Sequence, residues 1–107
     1  MQLSTPDGRY IVVRDRLWRR ADPTLLEEDR DRLVHELMAA RRAKQTALKT
    51  DDHDAVVEAK ARVQAAKEGL GERGPLWWHD GAPDENRKLV KNSSYAEWYA
   101  DLETADG

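Results

Sequence analysis

The chain has 107 residues, 36% of them charged and 39% hydrophobic, a balance that excludes a disordered protein and suits one domain over residues 1–107. The absence of cysteine excludes a disulfide framework, a thiolate zinc site and a thiol nucleophile, and no apolar run approaches the roughly 20 residues that a membrane span needs. With a net charge of −3 and no secretory signal after Met1, the sequence predicts a cytoplasmic protein without a membrane partner.

The N-terminal region contains the first predicted element, a β-strand. Residues 1–8 are predicted to be a frayed start, and residues 9–20 form a strand region rich in β-branched and aromatic side chains. Along one continuous strand, Ile11, Val13 and Leu17 would share a face.

Such a strand needs a pairing partner, and the sequence leaves two open. Residues 16–19 could fold back as a hairpin, although Arg14-Asp15 is poor turn chemistry. Alternatively, the same strand of a second copy could pair across a two-fold axis, which would make the protein a homodimer.

A helical hairpin is predicted over residues 24–70. The first helix covers residues 24–49 and is started by Asp22-Pro23, because an aspartate caps free amides and a proline fits the first helical position. The second helix starts within residues 50–54 and ends at the following glycines, Gly69 and Gly71.

The first helix has an apolar stripe at the spacing of one helix face. Its members are Leu33, Leu37, Ala40, Lys44 and Ala47, widened in the N-terminal half by Leu26, Val34 and Met38. We expect this N-terminal half to be the better buried one. A basic cluster on the same helix is expected to pair with acids of the second helix on a solvated face. The bases are Arg41, Arg42 and Lys44, and the acids are Asp54, Glu58 and Glu68.

The C-terminal region, residues 74–103, is predicted to contain an aromatic loop and short helices, followed by a frayed tail at 104–107. One short helix is expected over residues 84–91, with Asn92 as its left-handed stop. Ser94 with Glu97 resembles the capping box of another helix, whose apolar face would join the core. The side chains of that face are Tyr95, Trp98, Tyr99 and Leu102.

Together these elements predict an α+β fold that is mainly α. It has an N-terminal strand or hairpin, a long αα-hairpin, and short C-terminal helices with an aromatic cluster.

The candidate site lies in the stretch GPLWWHDGAPDENRKLVKN, residues 74–92, where two adjacent tryptophans occur among charged residues. One hypothesis makes one of them an exposed anchor for a partner protein, since tryptophan and arginine are enriched in interface hot spots. The equal alternative is that Trp77 packs on the helical hairpin while Trp78 covers the strand. The predicted partner-binding residues are Trp77, Trp78, His79, Arg87 and Lys91.

The favoured function is therefore a non-enzymatic protein-interaction module that also binds a copy of itself through the strand edge. No cofactor and no catalytic residue is predicted.

Two other functions remain open at this point. Nucleic acid could bind to arginines and an aromatic side chain along the strand, although the net negative charge and interleaved aspartates oppose it. Those residues are Arg9, Arg14, Arg16, Trp18 and Arg19. A metal-dependent, hydrolase-like site could form from an imidazole and two carboxylates, namely His79, Asp80 and Asp84.

Over almost its whole length the chain resembles a family of small bacterial proteins of unknown function, and three stretches between residues 8 and 99 carry the resemblance. They are GRYIVVRDRLWRRADP, LVHELMAARR and GERGPLWWHDGAPDENRKLVKNSSYAEWY. Some members of that family are labelled as Tol-type biopolymer transporters, a label that we do not carry over because this chain has no membrane span and no export signal. The resemblance implies a stand-alone bacterial domain and brings no activity, cofactor or catalytic residue with it.

Overall fold

The computed structural model describes residues 3–106, with the side chains of residues 3–102. Its elements are β1 (Leu3–Ser4), β2 (Tyr10–Val13), β3 (Arg16–Arg19), α1 (Glu27–Lys49), α2 (His53–Leu70), a short 3-10 helix (Val90–Asn92) and α3 (Ala96–Asp106). The predicted α+β, mainly helical fold with an αα-hairpin is confirmed. The chain divides into two compact units, which we describe separately: unit 1 comprises residues 1–20 and 78–107, and unit 2 comprises residues 21–77. A single cooperative domain over 1–107 stays a prediction.

Unit 1 is built on a three-stranded antiparallel sheet in the order β1-β2-β3. The hairpin between β2 and β3 has a two-residue turn in which Arg14 (φ 52°) and Asp15 (φ 66°) are both left-handed, as a type I′ turn requires. Aspartate tolerates this conformation, but arginine rarely adopts it and the pair lacks the glycine typical of such turns, which is why the sequence left this turn doubtful. The first of the two pairing alternatives is therefore correct: the strand pairs within the chain.

This turn also decides which side chains share a face of the sheet. Across the hairpin, Tyr10 lies opposite Arg19 and Val12 lies opposite Leu17. Leu17 therefore joins the buried face, and its expected alignment with the Ile11 face is wrong. The reason is the two-residue turn, which places the odd-numbered residues of β2 and those of β3 on opposite faces, whereas on one continuous strand they would share a face.

Strand β1 lies within the stretch that was predicted to be a frayed start. Leu3 pairs with Val12, and Thr5 is only 3% exposed. The Thr5 amide donates to the Tyr10 carbonyl at 2.9 Å. Residues 1 and 2 of the predicted frayed start lie outside the described residues. At the C-terminus, residues 104–107 were expected to fray, but α3 continues to Asp106. Residue 107 lies outside the described residues.

After Pro83, residues 86 and 87 form a turn and a short 3-10 helix begins at Val90, so the predicted helix over residues 84–91 is wrong. The segment pairs with β3 instead: the Leu17 amide donates to the Lys88 carbonyl at 2.9 Å, and the Arg87 amide donates to the Leu17 carbonyl at 2.7 Å. Tertiary pairing thus overrides the local helix signal. The positive φ expected at Asn92 is found at Arg87 (φ 74°).

This pairing covers the outer edge of β3, and β1 at the other edge has only two residues. The strand edge that was expected to bind a second copy is thus largely occupied within the chain.

The predicted capping box is also replaced: Ser93 Oγ accepts from the Tyr95 amide at 3.1 Å, while the Ser94 hydroxyl donates to Glu85 at 2.6 Å.

Unit 2 is the predicted helical hairpin. Its buried cluster comprises Leu33, Leu37, Ala66 and Leu70, with Ala21, Leu25 and Val63 packed against it. Helix α2 ends at Gly71, in the left-handed conformation expected of a C-cap (φ 88°). Gly69 lies inside α2, where a Cβ atom would come within 2.7 Å of Leu33, so its role is close packing and not termination.

The start of α1 differs from the prediction, because the helix begins at Glu27, three residues later. The Asp22 carboxylate accepts from the Thr24 amide at 2.9 Å and so caps a turn instead of the helix.

The N-terminal apolar residues of α1 are exposed, which corrects the prediction that they widen the buried stripe. Leu26 is 64% exposed, Val34 38% and Met38 53%. Neither long helix has the length of apolar sequence that crossing a bilayer requires, within residues 3–106.

Candidate functional site

An aromatic cluster of Tyr10, Trp78 and Tyr95 forms the interior of unit 1. The Tyr10 ring meets the Trp78 ring at 5.7 Å and the Tyr95 ring at 5.6 Å, both edge to face. Trp78 is 8% exposed, and its indole N–H donates to the Ala82 carbonyl at 2.8 Å. The hypothesis that Trp78 is an exposed anchor is wrong, and the alternative that it covers the strand is confirmed.

Trp77, the other member of the pair, belongs to unit 2 and is partly buried there. Its ring lies against Gly71, so close that a Cβ atom on this glycine would come within 2.9 Å of Trp77 Cδ1. This agrees with the prediction that Trp77 packs on the helical hairpin.

Two arginines of the predicted nucleic-acid set contact the Trp78 ring. The Arg9 guanidinium lies 4.9 Å from the ring centre and binds the Asp80 carboxylate. Arg19, whose side chain is 1% exposed, lies 5.8 Å from the ring centre and pairs with Asp84 at 3.4 Å. Both cations are thus neutralised, so neither belongs to a phosphate-binding surface. The assignment of Arg9 and Arg19 to the nucleic-acid set is therefore corrected. Their carboxylate partners are distant in the sequence and are identified only by the fold.

The same ion pairs occupy the predicted metal ligands. The hydrogen bond from Arg9 holds the pKa of Asp80 below its usual value. His79 is exposed. Among the residues that the structure describes, no group of three or more histidine, aspartate or glutamate side chains is arranged to hold a metal ion. The structure therefore does not bring His79, Asp80 and Asp84 together as a metal site.

Tyr95 and Asp7 form a hydrogen bond that links α3's start to the N-terminal segment. The Tyr95 hydroxyl donates to the Asp7 carboxylate at 2.6 Å. Burial, reinforced by this bond, raises the pKa of Tyr95 well above its usual 10.0. Burial opposes ionisation of Asp7, but hydrogen bonds from Tyr95, Thr5 and the Arg9 amide outweigh it and lower the pKa of Asp7 below 3.8. The fold thus favours a protonated tyrosine beside an ionised aspartate.

This bond predicts how stability depends on pH. A raised tyrosine pKa contributes stability that is present below pH 10 and lost as the pH rises beyond it; a lowered aspartate pKa contributes stability that is present above pH 3.8 and lost below it. We expect urea unfolding of Tyr95→Phe to show a weaker loss of stability at both extremes than the wild type. Identical pH profiles of the two proteins would contradict this.

One exposed surface of unit 1 is the face of the sheet opposite Tyr10, which we call the outer sheet face. It is formed by Ile11, Val13, Arg16 and Trp18, with Arg14 from the turn and Arg87 from the paired segment. Trp18 is 37% exposed and Val13 40%. The Arg87 guanidinium lies 5.9 Å from the centre of the Trp18 ring, a cation–π contact.

Several polar groups on this face can form further hydrogen bonds or ion pairs with a partner. Among the side chains of residues 3–102, the Trp18 indole N–H has no hydrogen-bond acceptor, and Arg14, Arg16 and Arg87 have no carboxylate partner. The Arg16 guanidinium donates to the Arg87 carbonyl at 2.8 Å. The face is therefore both apolar and positively charged.

The outer sheet face combines residues from two separate predictions. Arg87 was assigned to partner binding, while Arg14, Arg16 and Trp18 were assigned to nucleic acid. Ile11 and Val13 were placed on one strand face by their alternation, but neither was named as a site residue. Lys91 lies elsewhere, at the rim of an apolar cavity of about 310 Å³ that is also lined by Asp15, Leu89, Ala96, Tyr99 and Ala100.

Comparisons with known proteins add no further assignment. Neither the protein-family models nor the curated proteins nor the solved structures give a match to this chain. The functional argument therefore depends on the geometry of the chain itself.

Proposed function

We propose that the protein is a non-enzymatic, cytoplasmic interaction module of a bacterium, and that its outer sheet face binds an acidic segment of a partner protein. The observation that carries this proposal is Trp18: a large aromatic side chain, 37% exposed, on the solvent face of a rigid hairpin. Tryptophan and arginine are enriched among the few residues that dominate binding energy at protein interfaces.

The positive charge of the outer sheet face indicates which kind of partner segment it would bind. Arg14, Arg16 and Arg87 surround Trp18 and lack carboxylate partners within the described residues, although the chain as a whole has a net charge of −3. Charge complementarity favours carboxylates opposite these guanidiniums, and a neighbouring apolar side chain would cover Val13 and the indole ring.

A protein partner is favoured over nucleic acid because the run of arginines along the strand is interrupted. Arg9 and Arg19 are bound to Asp80 and Asp84. This leaves a compact patch of three cations and one aromatic ring, whereas a single-strand groove follows several phosphates and stacks successive bases.

A displayed library of random 12-residue peptides, selected on the immobilised protein, tests the proposal. We expect enriched peptides to be acidic with at least one bulky apolar residue. Trp18→Ala should weaken their binding by about 30-fold or more, the effect of a hot-spot loss of at least ~2 kcal/mol. Fluorescence anisotropy measures the affinities.

The matched control is Arg62→Gln on α2, compared with Arg16→Gln on the outer sheet face. The Arg16 variant should lose affinity and the Arg62 variant should not. Enriched peptides that bind Trp18→Ala as well as the wild type would overturn the proposal. So would tighter binding to a 12-nucleotide single strand than to any peptide, an outcome that would instead favour nucleic acid.

A further inference from the structure

Helix α1 carries a second row of side chains, one residue further along the helix than its buried stripe, which we call the outer row of α1. Its members follow the alternating spacing of four and three that keeps side chains on one helix face. They are Glu27, Asp31, Val34, Met38, Arg41, Gln45 and Leu48, and all seven are exposed. Met38 and Leu48, at 53% and 57% exposure, expose more than half of their surface.

The charges along α1 are divided between its two halves. Residues 27–36 contain five acids and two bases, while residues 37–49 contain four bases and no acid. The expected pairing of Arg41, Arg42 and Lys44 with acids of α2 is wrong, because no ion pair joins any of these bases to an acid of His53–Leu70. Each half therefore keeps an uncompensated charge on the helix surface.

Two copies of such a helix complement each other only when they run antiparallel. With a two-fold axis at Met38, the middle residue of Glu27–Lys49, Met38 faces its own copy and Val34 faces Arg41. Asp31 then faces Gln45 between the bases of the other copy, and Glu27 faces Leu48 and Lys49. The acidic half of each helix thus lies along the basic half of the other, whereas a parallel pair would place like charges together.

We propose that α1 is a self-association surface, and that two copies of the chain pair antiparallel through the outer row of α1 about a two-fold axis at Met38. The occupant is a second copy because one helix supplies both the acidic and the basic half that the other requires. The contact has few apolar side chains, so it is weak, and its ionic component makes it sensitive to salt. It is independent of the outer sheet face.

Cysteine cross-linking tests this arrangement directly, because the chain has no cysteine and each variant therefore has one thiol. Met38→Cys is expected to form an intermolecular disulfide at least tenfold faster than Arg32→Cys under the same mild oxidant. Arg32 is a matched control, since it is exposed on α1 but lies off the outer row. The disulfide rate is measured by non-reducing electrophoresis at 50 mM and 500 mM NaCl, and we expect the difference to shrink at high salt.

Two more variants decide the direction of pairing. In the antiparallel pair the two copies of residue 27 are separated by about 33 Å along the axis, because each residue rises 1.5 Å. Glu27→Cys alone should therefore cross-link no faster than the control, whereas an equimolar mixture of Glu27→Cys and Leu48→Cys should cross-link quickly to the mixed dimer. Rapid cross-linking of Glu27→Cys alone would mean a parallel pair and would overturn the proposal.

A charge test uses no thiol. Arg41→Glu with Arg42→Glu should lower the dimer fraction in sedimentation velocity at least tenfold, while Lys60→Glu with Arg62→Glu on α2 changes the net charge equally and should leave the dimer. A wild type that stays monomeric at 500 µM and 50 mM NaCl, or equal cross-linking of Met38→Cys and Arg32→Cys, would overturn the proposal. Trp18→Ala should keep the dimer, so failure of the peptide-binding function is distinguishable from failure of self-association.

Discussion

Trp78→Ala is expected to lower the free energy of unfolding by about 3 to 5 kcal/mol, the usual cost of truncating a buried aromatic side chain. Trp78 is 8% exposed, packs edge to face on Tyr10 and supports two guanidinium groups on its ring. Its removal leaves a cavity and frees the buried Arg19 side chain from one of its contacts. Because a small protein is stabilised by only about 5 to 15 kcal/mol, such a loss would leave unit 1 largely unfolded at modest urea concentrations.

Trp18→Ala is the matched control, since it removes the same side chain from an exposed position of the same unit. It should cost about 1 kcal/mol or less, the value of a cross-strand contact. Urea unfolding followed by circular dichroism compares the two variants. A Trp78→Ala protein as stable as Trp18→Ala would show that the aromatic cluster contributes little to the fold.

Gly71→Ala is expected to cost about 2 to 5 kcal/mol in unit 2. The φ of 88° is unfavourable for any residue with a Cβ atom, by about 1 to 2 kcal/mol. In addition, the new methyl group would lie 2.9 Å from Trp77 Cδ1 and 3.1 Å from the Asp22 amide nitrogen, and such overpacking costs about 1 to 3 kcal/mol.

Gly81→Ala separates the two contributions. Gly81 has a similar φ of 85° but no atom within 4 Å of the added Cβ position, so only the backbone strain of about 1 to 2 kcal/mol applies. Thermal unfolding of both variants measures the difference. Equal losses of stability in the two variants would mean that Trp77 moves away from the new methyl group at no cost in free energy.

The helices were predictable because their signals are local. The stripe from Leu33 to Ala47 repeats at helical spacing, and Gly71 ends α2 in the conformation that glycine favours. What this periodicity did not decide was the width of the buried stripe. Val34 and Met38 are apolar but face away from α2, since only one seam of each helix meets the other in a two-helix hairpin.

The errors occur where distant segments pair. Residues 84–91 have a helix-start signal, yet the backbone of Arg87 and Lys88 is hydrogen-bonded to Leu17 and no α-helix forms there. Arg14 has little preference for a left-handed conformation, yet it adopts one beside Asp15 because the register of β2 and β3 requires a two-residue turn. Neither pairing leaves a pattern within its own stretch of sequence.

The site was predicted in part for the same reason. Sequence composition indicated that tryptophan and arginine would form it, but only burial distinguishes Trp78, an interior residue, from Trp18, an exposed one. Likewise, Arg9 and Arg16 look equivalent along the strand, and the fold assigns a carboxylate to the first alone. Local pattern gives residue types, whereas partners depend on contacts between residues about 70 positions apart.

The two segments of unit 1 are separated along the chain by the whole of unit 2, and this has a consequence for synthesis on the ribosome. The β2–β3 hairpin emerges first, but Trp78, Tyr95 and the segment that covers the edge of β3 are translated only after both long helices. At about 5 to 20 residues per second, Tyr95, the last residue of the aromatic cluster, is synthesised roughly 4 to 15 seconds after the hairpin. Helices α1 and α2, which are contiguous, need no such delay. The helical hairpin is therefore expected to be the first part of the nascent chain to resist protease.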